Sequence, residues 1–213
     1  MRRISCLLPA LTLGLVSLFL VPVASAQPAS PAPGWSVVGP YGGDARSFAY
    51  SQSNPSRVLV GTTDSWIYQS DGSGRWARLS KIANSDSLVL DNILFDESNP
   101  KRVFVGAWKL DRPDGGIYIS EDSGHTWQPV PGMQGQSVRA LAQAASDPKI
   151  WVAGTLKGVY RSQDGGRNWT LISPPGSVEI HEVESIAIDP VNPQIIYAGT
   201  WHLPWKTVDG GQH

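Results

Sequence analysis

The chain repeats itself, and that repeat constrains the fold more than any other property. Pro55, Pro100, Pro148 and Pro193 each follow Asn or Asp, and a glycine stands six residues after each, at Gly61, Gly106, Gly154 and Gly199. Ten residues beyond the glycine lies an aspartate in three copies, at Asp71, Asp164 and Asp209; in the second copy Asp122 lies sixteen residues on. Trp76, Trp127 and Trp169 follow their aspartates by five residues. After Asp209 the same position would be 214, one past His213.

A period of roughly 45 residues suits one four-stranded propeller blade. Phe48-Ala49-Tyr50, Ile93-Leu94-Phe95 and Ile186-Ala187-Ile188 read as first strands ahead of the Asn-Pro turn. Val58-Leu59-Val60, Val103-Phe104-Val105, Trp151-Val152-Ala153 and Ile196-Tyr197-Ala198 read as second strands, apolar at consecutive positions as if covered on both faces. Ile67-Tyr68, Ile117-Tyr118 and Val159-Tyr160 start third strands, and the tryptophans open fourth strands in WARL, WQPV and WTLI. No stretch after residue 26 has a helical period. The expectation is an all-β chain: a β-propeller of four-stranded blades over 35–213, with about four blades present. Trp35-Ser36-Val37-Val38 has the form of a fourth strand with no blade before it, suited to finishing the last blade of a ring. The phrase TVDGGQH halts inside a turn, so the repeat predicts a coding sequence that continues with Trp at 214. A closed four-bladed ring is the alternative.

The phrase S-x-D-x-G-x-x-W reads as a hairpin staple. A carboxylate accepts from backbone N–H groups two or three residues on, Ser does the same more weakly, Gly takes a positive φ, and Trp pins the turn to the blade. The structural set is Ser120, Asp122, Gly124 and Trp127; Ser162, Asp164, Gly166 and Trp169; and Asp71 and Asp209. By this spacing Gln69 replaces the Ser in the first copy, and Ser73 the Gly. One or two carboxylates per copy are too few for a hard cation.

Ser120–Trp127 is a full match to the Asp-box, or BNR repeat, and residues 162–169 match too. Ile186 to Thr200, IAIDPVNPQIIYAGT, resembles the propellers of sortilin-like domains, Ycf48-type assembly factors and two-propeller xyloglucanases. The resemblance implies the fold and is nearly silent on function, since the superfamily mixes enzymes with binding proteins. Asp64, in GTTDSWIY, resembles the position of a catalytic Asp in the xyloglucanase type, though Thr63 stands where that type has Arg.

Arg2 and Arg3, the apolar run Ile4 to Val23 and Ala24-Ser25-Ala26 compose a secretory signal over 1–26. Residues 27–34, QPASPAPG, form a stiff Pro-rich linker. The expected location is therefore secreted or periplasmic. The single cysteine, Cys6, departs with the signal, so core packing alone must hold the mature chain. With 17 Lys and Arg against 18 Asp and Glu, and no basic run, nucleic acid is an unsuited partner. After residue 26 no apolar run is long enough to span a bilayer.

Among the nine tryptophans, Trp66, Trp108 and Trp201 fall in the loops joining second and third strands. The second copy carries a six-residue insertion in the same kind of loop, within AWKLDRPDGG. Aromatic rings beside Asp111, Arg112 and His202 suit a sugar ring or an extended peptide. The four histidines lack ligand spacing, and no metal or cofactor is implied. No carboxylate pair, arginine cluster or Gly-x-Ser-x-Gly elbow stands out. The reading is a secreted binding or assembly module for a glycan or peptide, non-catalytic, with a glycoside hydrolase of the xyloglucanase or sialidase-like type as the alternative.

Overall fold

A computed structural model describes residues 34–36, 38–40, 44–83 and 87–213. The chain divides into two units, Met1–Val37 and Val38–His213, and every strand belongs to the second. The expected signal segment, and the linker apart from Gly34, lie outside the described residues.

The fold is all-β. Blade one holds β1 (Ala45–Ser51), β2 (Asn54–Thr62), β3 (Trp66–Ser70) and β4 (Trp76–Lys81). Blade two holds β5 (Leu88–Asp96), β6 (Asn99–Lys109), β7 (Gly115–Ser120) and β8 (Gln128–Pro129). Blade three holds β9 (Val138–Gln143), β10 (Trp151–Thr155), β11 (Gly158–Ser162) and β12 (Thr170–Leu171). Blade four holds β13 (Val183–Ile188), β14 (Ile196–Thr200) and β15 (Pro204–Thr207). Each blade is an antiparallel meander in sequence order. The expected strand at Trp35 is absent among the described residues: Trp35 and Ser36 belong to no strand.

Blades stack face to face. One buried cluster joins Leu59, Ile67 and Ile82 of blade one to Ile93, Val103 and Val105 of blade two. A second joins Phe104, Ile117 and Met133 to Leu141 and Trp151, whose ring centroid lies 4.1 Å from that of Phe104. A third joins Val152 and Val159 to Val183, Ile196 and Ala198.

The repeat glycines owe their place to this stacking rather than to turns. A Cβ on Gly61 would meet Leu90 Cβ at 2.9 Å, one on Gly106 would meet Val138 Cγ1 at 2.8 Å, and one on Gly154 would meet Val183 Cγ1 at 2.7 Å. Each contact is with the first strand of the next blade, so only glycine lets successive sheets approach this closely.

The aspartate turns are satisfied from within. Asp122 Oδ1 accepts from the His125 and Thr126 N–H groups at 3.1 and 2.8 Å, and Ser120 Oγ donates to it at 2.8 Å. Asp164 repeats this with Arg167, Asn168 and Ser162, and Asp209 with Gln212, His213 and Thr207. The turn also grips the Asn-Pro corner of its own blade: Ser123 N–H donates to Lys101 O, Gly165 N–H to Lys149 O and Gly210 N–H to Gln194 O. The first copy differs from the sequence expectation. Ser70, not Gln69, pairs with Trp76 and accepts the Gly72 N–H, because this turn is one residue shorter; Asp71 instead binds Ser73 and Arg75.

Candidate functional site

The 2–3 loops share one face with the links between blades. Ser65 N–H donates to Leu88 O, Leu156 N–H to Ser137 O and Glu182 N–H to Leu156 O. That face carries the candidate residues, in three places.

At blade one, Thr62 Oγ1 donates to Asp64 Oδ1 at 2.5 Å and accepts the Trp66 N–H at 3.1 Å. This hydroxyl fixes the carboxylate beside the half-buried indole that opens β3. The Arg78 guanidinium lies 4.8 Å from the Trp66 ring centroid and Lys81 Nζ lies 5.5 Å from it. Arg78 is held above its ordinary value, first by its hydrogen bond to the Tyr68 hydroxyl and also by the Asp64 carboxylate. Charged and aromatic surfaces therefore meet at one corner, which sets an aromatic ring and hydrogen-bonding groups side by side.

At blade four, Trp201 lies past the end of β14 and is 74% exposed. With His202, Glu179, His181 and Glu182 it lines a recess of about 210 Å³. At blade two, Asp111 and Arg112 form an exposed pair at 3.0 Å, with Asp114 between Arg112 and Lys109. Asp111 and Arg112 line neither the Asp64 corner nor the Trp201 recess.

Trp108 corrects the sequence reading. It shares its offset from the repeat glycine with Trp201, yet it is a strand residue and only 8% exposed. The inserted residues lengthen the β6–β7 ladder as far as Trp108↔Gly115, leaving a loop at 110–114. Its Nε1 donates to Asp91 Oδ2, and the Arg139 guanidinium covers the ring at 3.5 Å from the centroid. The ring is thus spent on packing.

Those partners belong to a set that sequence reading missed. Arg46, Asp91, Arg139 and Glu184 occupy the bulge of the first strand in successive blades, each next to the residue paired with the repeat glycine or with its equivalent. Arg46 pairs with Asp91 at 2.8 Å and Arg139 with Glu184 at 3.3 Å. The signal was available: each stands nine residues before its repeat proline. Among the described residues, no group of three or more His, Cys, Asp or Glu could hold a metal, and no helix is long and apolar enough to cross a membrane.

The blades and the loop face define a protein of the β-propeller class. No protein-family model matches the chain. It is 29% identical over 124 residues to an oligoxyloglucan-reducing end-specific xyloglucanase of Emericella nidulans, across 56% of this chain and 15% of that protein. An ancestral GH74 enzyme of known structure matches with a TM-score of 0.67 at 20% identity, over 80% of this chain and 23% of that one. A structure described as YCF48 bound to D1 peptide matches at 0.54 and 13% identity, over 84% and 60%. The chain therefore spans between a seventh and a quarter of the length of the xyloglucanase and the GH74 enzyme.

Proposed function

We propose that this chain is propeller blades of a xyloglucanase-type glycoside hydrolase, whose loop face binds a β-glucan. The observation that carries the reading is the sequence likeness to the xyloglucanase, which favours the hydrolase over a non-catalytic module. The Asp64 corner supports it. A sugar ring stacks on Trp66 and the carboxylate, oriented by Thr62, serves as one of the two acids that glycoside hydrolysis needs. In that reaction water adds across the glycosidic bond, its proton going to the leaving oxygen and its hydroxide to the anomeric carbon. The signal-like residues 1–26 support release outside the cytoplasm, and N-terminal sequencing of the exported protein should begin at Gln27.

The test is incubation with xyloglucan and mixed β-glucan, reading new reducing ends, alongside retardation in a xyloglucan-containing gel. We expect retardation, with reducing ends that vanish in Asp64→Ala while retardation persists. Retardation without cleavage would instead favour the second reading, a glycan-binding or assembly module, which the peptide-bound structural relative supports. Neither retardation nor cleavage would overturn the hydrolase and the glycan-binding module alike, leaving the peptide-binding assembly module.

A further inference from the structure

Blade one departs from the repeat beside the Asp64 corner. The repeat tyrosine of the third strand pairs with Pro129 in blade two and with Leu171 in blade three, each on a fourth strand of two residues. In blade one the fourth strand runs to six residues and carries a bulge: Ile67 pairs with Ser80 and Tyr68 with Arg78, so Leu79 is passed over. Plain alternation would set Leu79 opposite Tyr68. The bulge instead leaves Leu79 to the core shared with blade two and re-aims a cation at the tyrosine.

We propose that Arg78 is a positioning residue for glycan binding at this corner: it bridges Tyr68 and Trp66 and so holds the indole in place before a sugar arrives. This rests on the glycan-binding reading of the loop face. The Arg78 Nε donates to the Tyr68 hydroxyl at 3.0 Å, and its guanidinium lies 4.8 Å from the Trp66 ring centroid and 5.9 Å from that of Tyr68. Trp66 and Tyr68 stand two apart on β3, so both rings leave the same face of the strand, the face on which Arg78 lies opposite Tyr68. Tyr68 is the fixed end of the bridge, 9% exposed, whereas the indole is half-buried. The Trp66 backbone N–H donates to Thr62 Oγ1, the same hydroxyl that donates to Asp64. Trp66 is therefore held twice, by its backbone through Thr62 and by its ring through Arg78.

An aromatic side chain left free must be ordered when a sugar stacks on it, and that ordering costs affinity. A cation attracted to the ring lessens the cost in advance. Every contact of the bridge lies within blade one, in β2, β3, β4 and the loop between β2 and β3. Arg75, in the turn before β4, supplies a contrast: it has the same charge and pairs with Asp71 instead.

Retardation of the chain in xyloglucan gels, with KM and kcat where reducing ends form, tests the bridge. Arg78→Met and Tyr68→Phe should each weaken binding about fivefold, in the dissociation constant and in KM alike, with kcat within about twofold and the melting midpoint unchanged. The double variant should bind no more weakly than either single one, because both remove the same bridge. Arg75→Met removes an equal charge and should leave retardation as it is. Retardation unchanged or strengthened in Arg78→Met, losses that add in the double variant, a loss as large in Arg75→Met, or binding lost only together with folding would each overturn the proposal and leave the glycan-binding reading standing. No retardation of the unaltered chain would overturn both.

Discussion

The guanidinium of Arg139 on blade three lies over the indole of Trp108 on blade two, with Cζ 3.5 Å from the ring centroid. Asp91 takes the indole N–H and pairs with Arg46 of blade one, so four residues from three blades form one contact chain. Trp108→Ala should therefore cost about 3–5 kcal/mol of stability, as for a large buried ring. Arg139→Ala should cost about 0.5–2 kcal/mol, within the range for a partly desolvated cation on an aromatic face. Urea unfolding checks both. Trp201→Ala, by contrast, should leave the unfolding midpoint in place and weaken xyloglucan retardation.

Gly154→Ala puts a methyl 2.7 Å from Val183 Cγ1 and 3.0 Å from the Val183 carbonyl oxygen. Backbone cannot swing aside as a side chain can, so blades three and four must separate. The expected loss is about 1–3 kcal/mol, typical of overpacking. The double variant Gly154→Ala with Val183→Ala should recover less than half of it, because the carbonyl contact remains.

The turn carboxylates make stability fall with acid. Asp122 is held below the ordinary carboxylate range by the Thr126 hydroxyl and N–H and by Ser120, and Asp209 by Thr207 and His213. Burial works against ionisation of Asp164, and the donors of Asn168, Ser162 and Arg167 outweigh it, leaving a value of about 2. A depressed folded-state pKa means the unfolded chain binds protons first. The contribution is complete above the unfolded value of roughly 4 and drains away as pH falls toward the folded one. Thermal melts should be flat from pH 7 to about 5 and then drop steeply to pH 2. Asp164→Asn should be less stable at pH 7 and show a shallower drop. A midpoint unchanged between pH 5 and 2 would refute the assignment.

Cleavage and fold should separate at blade one. Asp64 accepts a hydroxyl hydrogen bond and braces no neighbouring blade in the contacts described. Asp64→Ala should thus leave the melting midpoint within about 1 °C, surface changes being worth within about 0.5 kcal/mol. Reducing-end release from xyloglucan is the property it should remove.

The blades were legible because packing repeats demand repeated residues. A glycine must stand wherever the next sheet crosses, and a tryptophan wherever a fourth strand opens, so fixed offsets survive while the rest varies. The face was less legible for a related reason. Trp108 and Trp201 share an offset, yet the insertion after Gly106 was absorbed as extra ladder, turning one position into buried strand while the other stayed in a loop. Counting back from Trp76 misplaced Ser70, because one deleted residue shifts the staple without removing it. Arg46, Asp91, Arg139 and Glu184 keep a constant offset but not a constant residue type. Their common property is alternation of charge, which a search for identical letters passes over.

Each core cluster joins two adjacent blades and none joins three, and blades two, three and four each tie their own two turns together through one backbone hydrogen bond. Energetically such blades behave as coupled units, like a row of magnets that feel only their neighbours. A disturbance at one interface is then felt by the two blades that share it and hardly beyond. Amide exchange in β10 should accordingly quicken in Gly154→Ala, whose methyl meets Val183 of blade four, while exchange in β2 stays as it was.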